Sequence, residues 1–439
     1  MQLTKKEVLV TGLALLAMFL GAGNLIFPPM LGLQAGEMMW WAVLGFVATG
    51  VGLPLLGVTA VAKAGGDLQY LANRVHPLFS KVITTVVVLS IGPLLAIPRT
   101  AATTFEVGIA PFLQLNTPGE AKLALAISTF IFFGITLLYV LRPTKIVDNV
   151  GKFLMPALLL FLGVIIYKGM VSPMGTVGVS QYTSPFAQGF LEGYNTMDAL
   201  ASVIFGLVIV NAIKAKGITN NNEIARVTIW AGVIAAAGLA AVYVGLAYVG
   251  ATSGSNFTGD NPGQLLAYLT KSLLGSTGQM VVAITIALAC LTTAIGLVSS
   301  CGRFFNRLTN EKISYNTVCI IAVLVSLLLS NMGLAKILEV SVPLLVTVHP
   351  IVIVLVLLSL AHNLFGGKKP VYVAAVGGTT VLVLTNLLLD VANNLGIKLT
   401  MLSSALSYLP MREQGLEWVI PAIVMAVVGL MIKEKHKAA

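Results

Sequence analysis

Charge is scarce in this chain. Only 10% of its 439 residues are Asp, Glu, Lys or Arg, 57% are hydrophobic, and the mean hydropathy is +0.95. Soluble domains carry roughly 25% charged residues to keep their surfaces hydrated, so that class is excluded. Cysteine is scarcer still. Cys290, Cys301 and Cys319 have no paired spacing, which excludes a disulfide framework or a thiolate metal centre and leaves them as small core residues. Of the four histidines only His349, directly before Pro350, falls in an apolar run, where packing at a kink is the preferred reading over a proton relay. H-E-x-x-H, G-x-S-x-G and P-loop signatures are absent, so nothing argues for an enzyme and no cofactor is expected.

Apolar sequence, by contrast, is abundant. About twelve stretches are each long enough to cross a hydrocarbon core of about 30 Å as a helix: approximately 8–33, 39–62, 81–113, 121–141, 153–170, 194–213, 226–250, 277–302, 314–330, 335–361, 371–391 and 416–432. They fill residues 1–439 as a single all-α polytopic membrane domain whose surroundings are lipid. The first run is longer than a signal-peptide core and lacks a small-residue cleavage pattern, so it is expected to stay in the protein. The formal charge of +10 does not imply nucleic acid, because the basic residues sort by membrane side. With the N-terminus inside, nineteen of the 26 Lys and Arg residues fall in inner segments, six outside (Lys122, Lys168, Lys271, Lys336, Lys398 and Arg412), and Arg99 within a span. Both termini are therefore expected in the cytoplasm. Asn256-Phe257-Thr258 fits a glycosylation sequon in an outer loop, but a chance match in a polar loop is the better reading.

The first run is interrupted by Gly21-Ala-Gly-Asn-Leu-Ile-Phe-Pro-Pro29. Glycine and proline unwind helices, and unwound backbone at membrane depth is tolerated only where protein or an aqueous cavity satisfies it. A break there ends one half-helix in free carbonyls and opens the next with free amides. The amides of Ala22, Gly23 and Asn24 would hold a carboxylate, and carbonyls such as those of Ala17 and Leu20 would favour a cation. The rival reading is that Gly21 and Gly23 serve close helix packing, although packing does not call for Asn24 and the proline pair. A second discontinuity is expected in the sixth span, with Ser202 and Gly206 mid-span. Carbonyls from Ala199 to Ser202 would suit an ammonium group, and Ser202 and Phe205 could line a pocket. An amino acid zwitterion fits both ends. Five spans per half make the second half inverted, with repeats at about 8–170 and 194–361 and two further helices at 371–391 and 416–432.

In the eighth span Ala289-Cys-Leu-Thr-Thr-Ala-Ile-Gly296 sets two adjacent hydroxyls, Thr292 and Thr293, a turn after the Ala289 carbonyl. Sodium takes oxygen ligands of this kind, while transmembrane threonines also commonly bond back to the preceding turn. Arg99 and Glu106 are the costliest residues of the third span, at about 2.5–3.5 kcal/mol each at the bilayer centre, so both need partners. Seven residues of helix separate them by about 10 Å, too far for a direct pair unless kinks at Pro93 and Pro98 intervene. A gating or structural network is preferred over a proton-linked role. Asp198 and Glu339, near expected helix ends, read by default as solvated, with Asp198 a second-rank proton-linked candidate.

These residues resemble the bacterial branched-chain amino acid carrier family, also called LIVCS or BrnQ. The resemblance rests on Gly21 to Pro29 with Gly32-Leu-Gln-Ala-Gly36, on Arg99-Thr-Ala-Ala-Thr-Thr-Phe-Glu-Val-Gly-Ile-Ala-Pro111, on Thr196 to Ala212, and on Glu413-Gln-Gly-Leu-Glu-Trp418. It implies cation-coupled uptake of Leu, Ile or Val across a bacterial inner membrane by a LeuT-type fold with broken helices 1 and 6. It also implies a sodium cage from the Ala17, Leu20 and Ala289 carbonyls and the Thr292 and Thr293 hydroxyls. Sodium is preferred over protons as coupling ion. Another amine or a nucleobase is the alternative substrate, and no obligate protein partner is expected. A channel would require rings of charge that the chain lacks, and a sensor would be expected to append an output domain.

Overall fold

The computed structural model describes residues 4–142, 145–254, 257 and 259–432. Asn256, Thr258 and the basic segment from Lys433 lie outside the described residues. All regular structure among them is helical: α1 Lys5–Phe19, α2 Ala22–Ala35, α3 Met39–Val47, α4 Leu53–Ala64, α5 Leu68–Asn73, α6 Pro77–Leu89, α7 Ala96–Gly108, α8 Pro118–Leu141, α9 Lys145–Val171, α10 Pro185–Glu192, α11 Asp198–Ala215, α12 Asn221–Ala251, α13 Pro262–Leu308, α14 Tyr315–Ser330, α15 Leu334–Leu360, α16 Lys369–Asn394, α17 Thr400–Ser407 and α18 Val419–Met431. Eight helical stretches have the length and apolarity to cross a bilayer, and shorter apolar helices accompany them at Pro156–Val171, Tyr315–Ser330 and Val419–Met431. Large apolar side chains such as Phe130, Leu138, Leu328 and Val381 face outward, as lipid contact requires.

Local sequence explains the helix starts. Thr4 and Glu7 form a reciprocal capping box on α1, Thr117 and Glu120 form one on α8 with Pro118 at its first position, and the Asn261 side-chain oxygen accepts the Gly263 and Gln264 amides at the head of α13. Interior breaks follow glycine and proline. The third span is interrupted at Ser90–Leu94, where Gly92 is non-helical and Pro93 follows, and α13 bends at Gly275, whose φ of 68° suits glycine.

Packing rests on backbone contact, as expected where lipid offers no hydrophobic drive between helices. A Cβ on Gly32 of α2 would fall on the Ala247 carbonyl of α12, and one on Gly250 of α12 would fall on the Pro29 carbonyl. The same reciprocal contact recurs between α3 and α10, where Gly45 meets the Phe186 carbonyl and Gly189 meets that of Ala42. Helix 1 (α1 and α2) thus docks on helix 7 (α12) as helix 2 (α3 and α4) docks on helix 6 (α10 and α11), the relation an inverted repeat produces.

The break in helix 6 differs from expectation. It lies at Gly193–Met197, ahead of Ser202 and Gly206, as a 3₁₀ turn ending in Met197 at φ 62° between α10 and α11. Gly193 permits it, because any Cβ there would collide with the Thr49 hydroxyl. Thr49 lies in a π-helical turn, Ala48–Gly52, that separates α3 from α4, and its hydroxyl donates to the Phe190 carbonyl at 2.8 Å. Ser202 and Gly206 serve packing instead: Ser202 lies against Gly57, and Gly206 against Val58 and Val61 of α4.

Candidate functional site

The break in helix 1 is two residues wide. Leu20 leaves helical geometry at ψ 76° and Gly21 is extended, after which Ala22 starts α2. The Gly21 amide donates to the Asn24 side-chain oxygen at 3.2 Å, which leaves the Asn24 amide group free to reach outward. It donates to Asp198 Oδ2 at 2.5 Å and also to the Tyr243 hydroxyl. Tyr243, on α12, in turn donates to Asp198 Oδ2 at 2.8 Å. All three side chains are buried. The first residue of α11 is thereby tied to the first turn of α2, and the two broken helices meet through polar groups with defined partners.

Arg99, on α7, reaches the same place. Its guanidinium donates to the Asn195 carbonyl at 2.6 Å, lies 5.3 Å from the Phe27 ring centroid, and interacts electrostatically with Asp198. A Cβ on Gly23 would stand 2.7 Å from Arg99 Nη2, so this glycine makes room for the arginine. The Asn195 carbonyl belongs to the 3₁₀ turn, and hence the open end of α10 receives a cation from the protein itself.

Between the breaks lies a cavity of about 40 Å³ bounded by Gly21, Ala22, Asn24, Arg99, Thr196 and Asp198 on its polar side. Phe19, Ile91, Phe205 and Leu297 form its apolar side, with Phe19 and Phe205 in edge contact at 5.4 Å between ring centroids. A vestibule of about 380 Å³ adjoins it through Ile91 and Leu297 and ends near Asp67, Arg303 and Arg307, where Asp67 and Arg307 pair at 3.0 Å.

The sequence candidates divide accordingly. Gly21, Ala22, Asn24, Phe205, Arg99 and Asp198 border the cavity, and Gly23 lies behind it against Arg99. Ala199 and Ser202 do not border it. The Ser202 hydroxyl donates to the Ala199 carbonyl at 2.7 Å inside α11, so the ammonium-facing carbonyls expected there are inside regular helix. Asp198 is buried, contrary to its default solvated reading, because the helix end it occupies is an interior break. Glu106 stands apart from Arg99, taking a 3.4 Å hydrogen bond from Gln264, and Glu339 is exposed beside Lys336.

Thr293 borders the cavity, with its methyl group 3.7 Å from where a Gly21 Cβ would be. The Thr292 hydroxyl donates to the Ala289 carbonyl at 2.9 Å, joining two of the oxygens assigned to the cation. Such a bond leaves the hydroxyl lone pairs able to accept a cation. Ala17 sits in the last turn of α1 and Leu20 in the break itself, where the carbonyls of α1 end.

Tyr243 and Thr196 escaped the sequence reading. Thr196 lies in the helix-6 signature, but its hydroxyl is spent locally, on the Gly193 carbonyl. Tyr243 sits among Ala, Val and Gly with no motif around it; a phenol at mid-span was its one signal.

The profile of the family described as "Branched-chain amino acid transport protein" matches residues 4–436. The chain is 44% identical over 432 residues to the branched-chain amino acid permease BraB of Bacillus subtilis, covering 97% of this chain and 95% of that one. It is 36% identical over 443 residues to the permease BrnQ of Escherichia coli K12, covering 98% and 96%. Among solved structures it superimposes on the nucleobase-cation-symport-1 transporter Mhp1, in a closed conformation with bromovinylhydantoin, with a TM-score of 0.62 at 14% identity, covering 96% and 91%. MhsT in complex with L-phenylalanine gives 0.55 at 14% identity, covering 98% of both chains. Those structures share the LeuT-type fold, with which the two broken helices agree. The protein is a multi-pass membrane transporter, not an enzyme, and it belongs to the branched-chain amino acid transport protein family.

Proposed function

We propose that the protein takes up leucine, isoleucine and valine across a bacterial inner membrane by sodium symport, with both termini cytoplasmic. The observation that carries the reading is the convergence of the two breaks on one cavity. The α2 amides and Arg99 suit the substrate carboxylate, Asp198 and the Thr196 region suit its ammonium group, and Phe19, Ile91, Phe205 and Leu297 offer an apolar wall to a branched side chain. A cavity of about 40 Å³ is smaller than any of these substrates, so binding separates Phe19 from Phe205 and draws on the adjoining vestibule. Alternating access then follows from movement of the broken helices against the rest of the bundle.

Sodium is assigned to the oxygens of Ala17, Leu20, Ala289, Thr292 and Thr293, a neutral set next to the carbonyl end of α1. Occupancy there raises substrate affinity by the same factor that substrate raises sodium affinity. One observation favours a second reading: Asp198, a buried carboxylate at the other break, could carry a proton instead. Uptake of labelled isoleucine into proteoliposomes under separately imposed sodium and proton gradients, each with its ionophore, distinguishes the two. Uptake driven by neither gradient overturns the symport reading.

A further inference from the structure

The Glu413–Trp418 signature does not border the transport cavity, yet it packs against helix 6 at its break. Four buried polar atoms without hydrogen-bond partners gather there: the Tyr194 hydroxyl, His349 Nε2, Glu417 Oε2 and the Trp418 indole nitrogen. Tyr194 belongs to the 3₁₀ turn Gly193–Thr196, and its ring stacks on His349 of α15 with centroids 4.3 Å apart and planes 8° from parallel. His349 Nδ1 bonds to the Leu345 carbonyl at 2.9 Å, which fixes the ring against its own helix. The Trp418 indole and the Glu417 carboxylate both act on the Tyr194 hydroxyl, though no aligned hydrogen bond is completed.

Glu417 is itself held. Its Oε1 accepts from the Asn386 side chain of α16 at 2.6 Å and lies 3.8 Å from Arg412, which donates to Asn386 Oδ1 at 3.0 Å. Gly415, at φ 67°, sits against Leu191, the residue before the end of α10. The C-terminal turn therefore touches helix 6 both before its break and within it. The next residue after Tyr194 supplies the carbonyl that holds Arg99, and Asp198 follows three residues later.

We propose that the Glu413–Trp418 turn braces the helix-6 break, with Trp418 and Glu417 acting as positioning residues on the transport site through Tyr194. The proposal rests on the isoleucine-binding reading above for its substrate readout. Tyr194 lies in the turn itself, so a displacement passed to it from Glu417 and Trp418 carries the break along. The Asn195 carbonyl and Asp198 move with it, since they share the same short turn.

The test uses the full-length protein in proteoliposomes. Trp418→Phe keeps the aromatic bulk and removes the N–H, Glu417→Gln keeps the shape and removes the charge, and Tyr194→Phe removes the hydroxyl. Each is expected to change the isoleucine Kd by about threefold or more, the scale of one altered buried polar contact, with an unchanged melting temperature. The double variant Tyr194→Phe with Trp418→Phe is expected to match the larger single effect, because both act through one contact. An unchanged Kd in all three singles, or losses that multiply in the double, overturns the brace. A second measurement needs no substrate: maleimide labelling of Ala201→Cys, which borders the cavity, with Cys290, Cys301 and Cys319 replaced by alanine. Its rate should change severalfold with Glu417→Gln, and an unchanged rate counts against the brace. Should the parent protein bind no isoleucine, the substrate reading fails while the labelling result still decides the brace.

Discussion

The side-chain amide of Asn24 donates to Asp198 across 174 residues of chain, and this one bond ties the first helix break to the second. Tyr243 donates to the same carboxylate oxygen from a third helix. A substrate that uses either break must therefore act on both, because neither can shift without disturbing the shared acceptor.

Replacing Asp198 by asparagine keeps the shape but leaves Arg99 without its nearby opposite charge. The hydrogen bonds from Asn24 and Tyr243 also lose their charged acceptor, at about 1.5–3 kcal/mol each. The variant is expected to melt several degrees lower and to lose at least tenfold in isoleucine uptake. Combining it with Arg99→Met should restore much of the melting temperature but none of the uptake. Recovery of transport in the double variant would show that the charges are structural only.

The two threonines of α13 should behave differently. Thr293 borders the cavity, whereas the hydroxyl of Thr292 is already engaged with the Ala289 carbonyl. Thr293→Val is expected to raise the half-saturating sodium concentration by about tenfold and Thr292→Val by less, with isoleucine affinity falling in step in each. Sodium dependence that survives in the double variant removes the cage and directs attention to Asp198.

A Cβ on Gly23 would stand 2.7 Å from Arg99 Nη2, inside van der Waals contact. Gly23→Val should abolish isoleucine binding without preventing membrane insertion, since its backbone is helical and only the guanidinium is displaced. Normal affinity in this variant would return the glycine to a packing role. Gly32→Ala, by contrast, drives a methyl into the Ala247 backbone and should lower the amount of folded protein in the membrane.

Topology can be read by impermeant maleimide in cells whose native cysteines have been replaced. Cysteines at the exposed positions Asp260 and Asn394 are expected to react from outside and one at Asn221 is not. Reaction at Asn221 in sealed cells contradicts the cytoplasmic assignment of the α11–α12 connection.

The helix-1 break was legible because its sequence carries every disruptive element at once: two glycines, an asparagine and a proline pair inside an apolar run. In helix 6 a break was legible but its position was not, because Gly193 and Met197 look unremarkable in sequence. Its turn exists because Thr49 fills the space a Cβ at 193 would need, and that neighbour is 144 residues away. The same limit explains Ser202, whose partner surface is Gly57, and Asp198, which looks like a helix-end carboxylate until the end proves to be interior. The all-α membrane class followed from composition and apolar run length, which are local properties, and the LeuT-type arrangement from the family resemblance. Site membership depended on which helices cross, which is not.

The π-helical turn at Ala48–Gly52 sets the rotational phase of helix 2. An α-helix advances about 100° per residue, so one residue held in a wide turn swings everything before it by that angle relative to everything after it. Ahead of the turn Gly45 meets Phe186; beyond it Gly57 meets Ser202. Both halves of helix 6 are thereby read by a single helix whose two faces would otherwise point to different neighbours. Deleting one residue from 48–52 would restore an unbroken α-helix and rotate one of these faces away, whereas an equal deletion at 114–115, ahead of the α8 cap, should leave the bundle intact. Comparable amounts of folded protein from the two deletions would show that the phase is not what holds helix 6 in place.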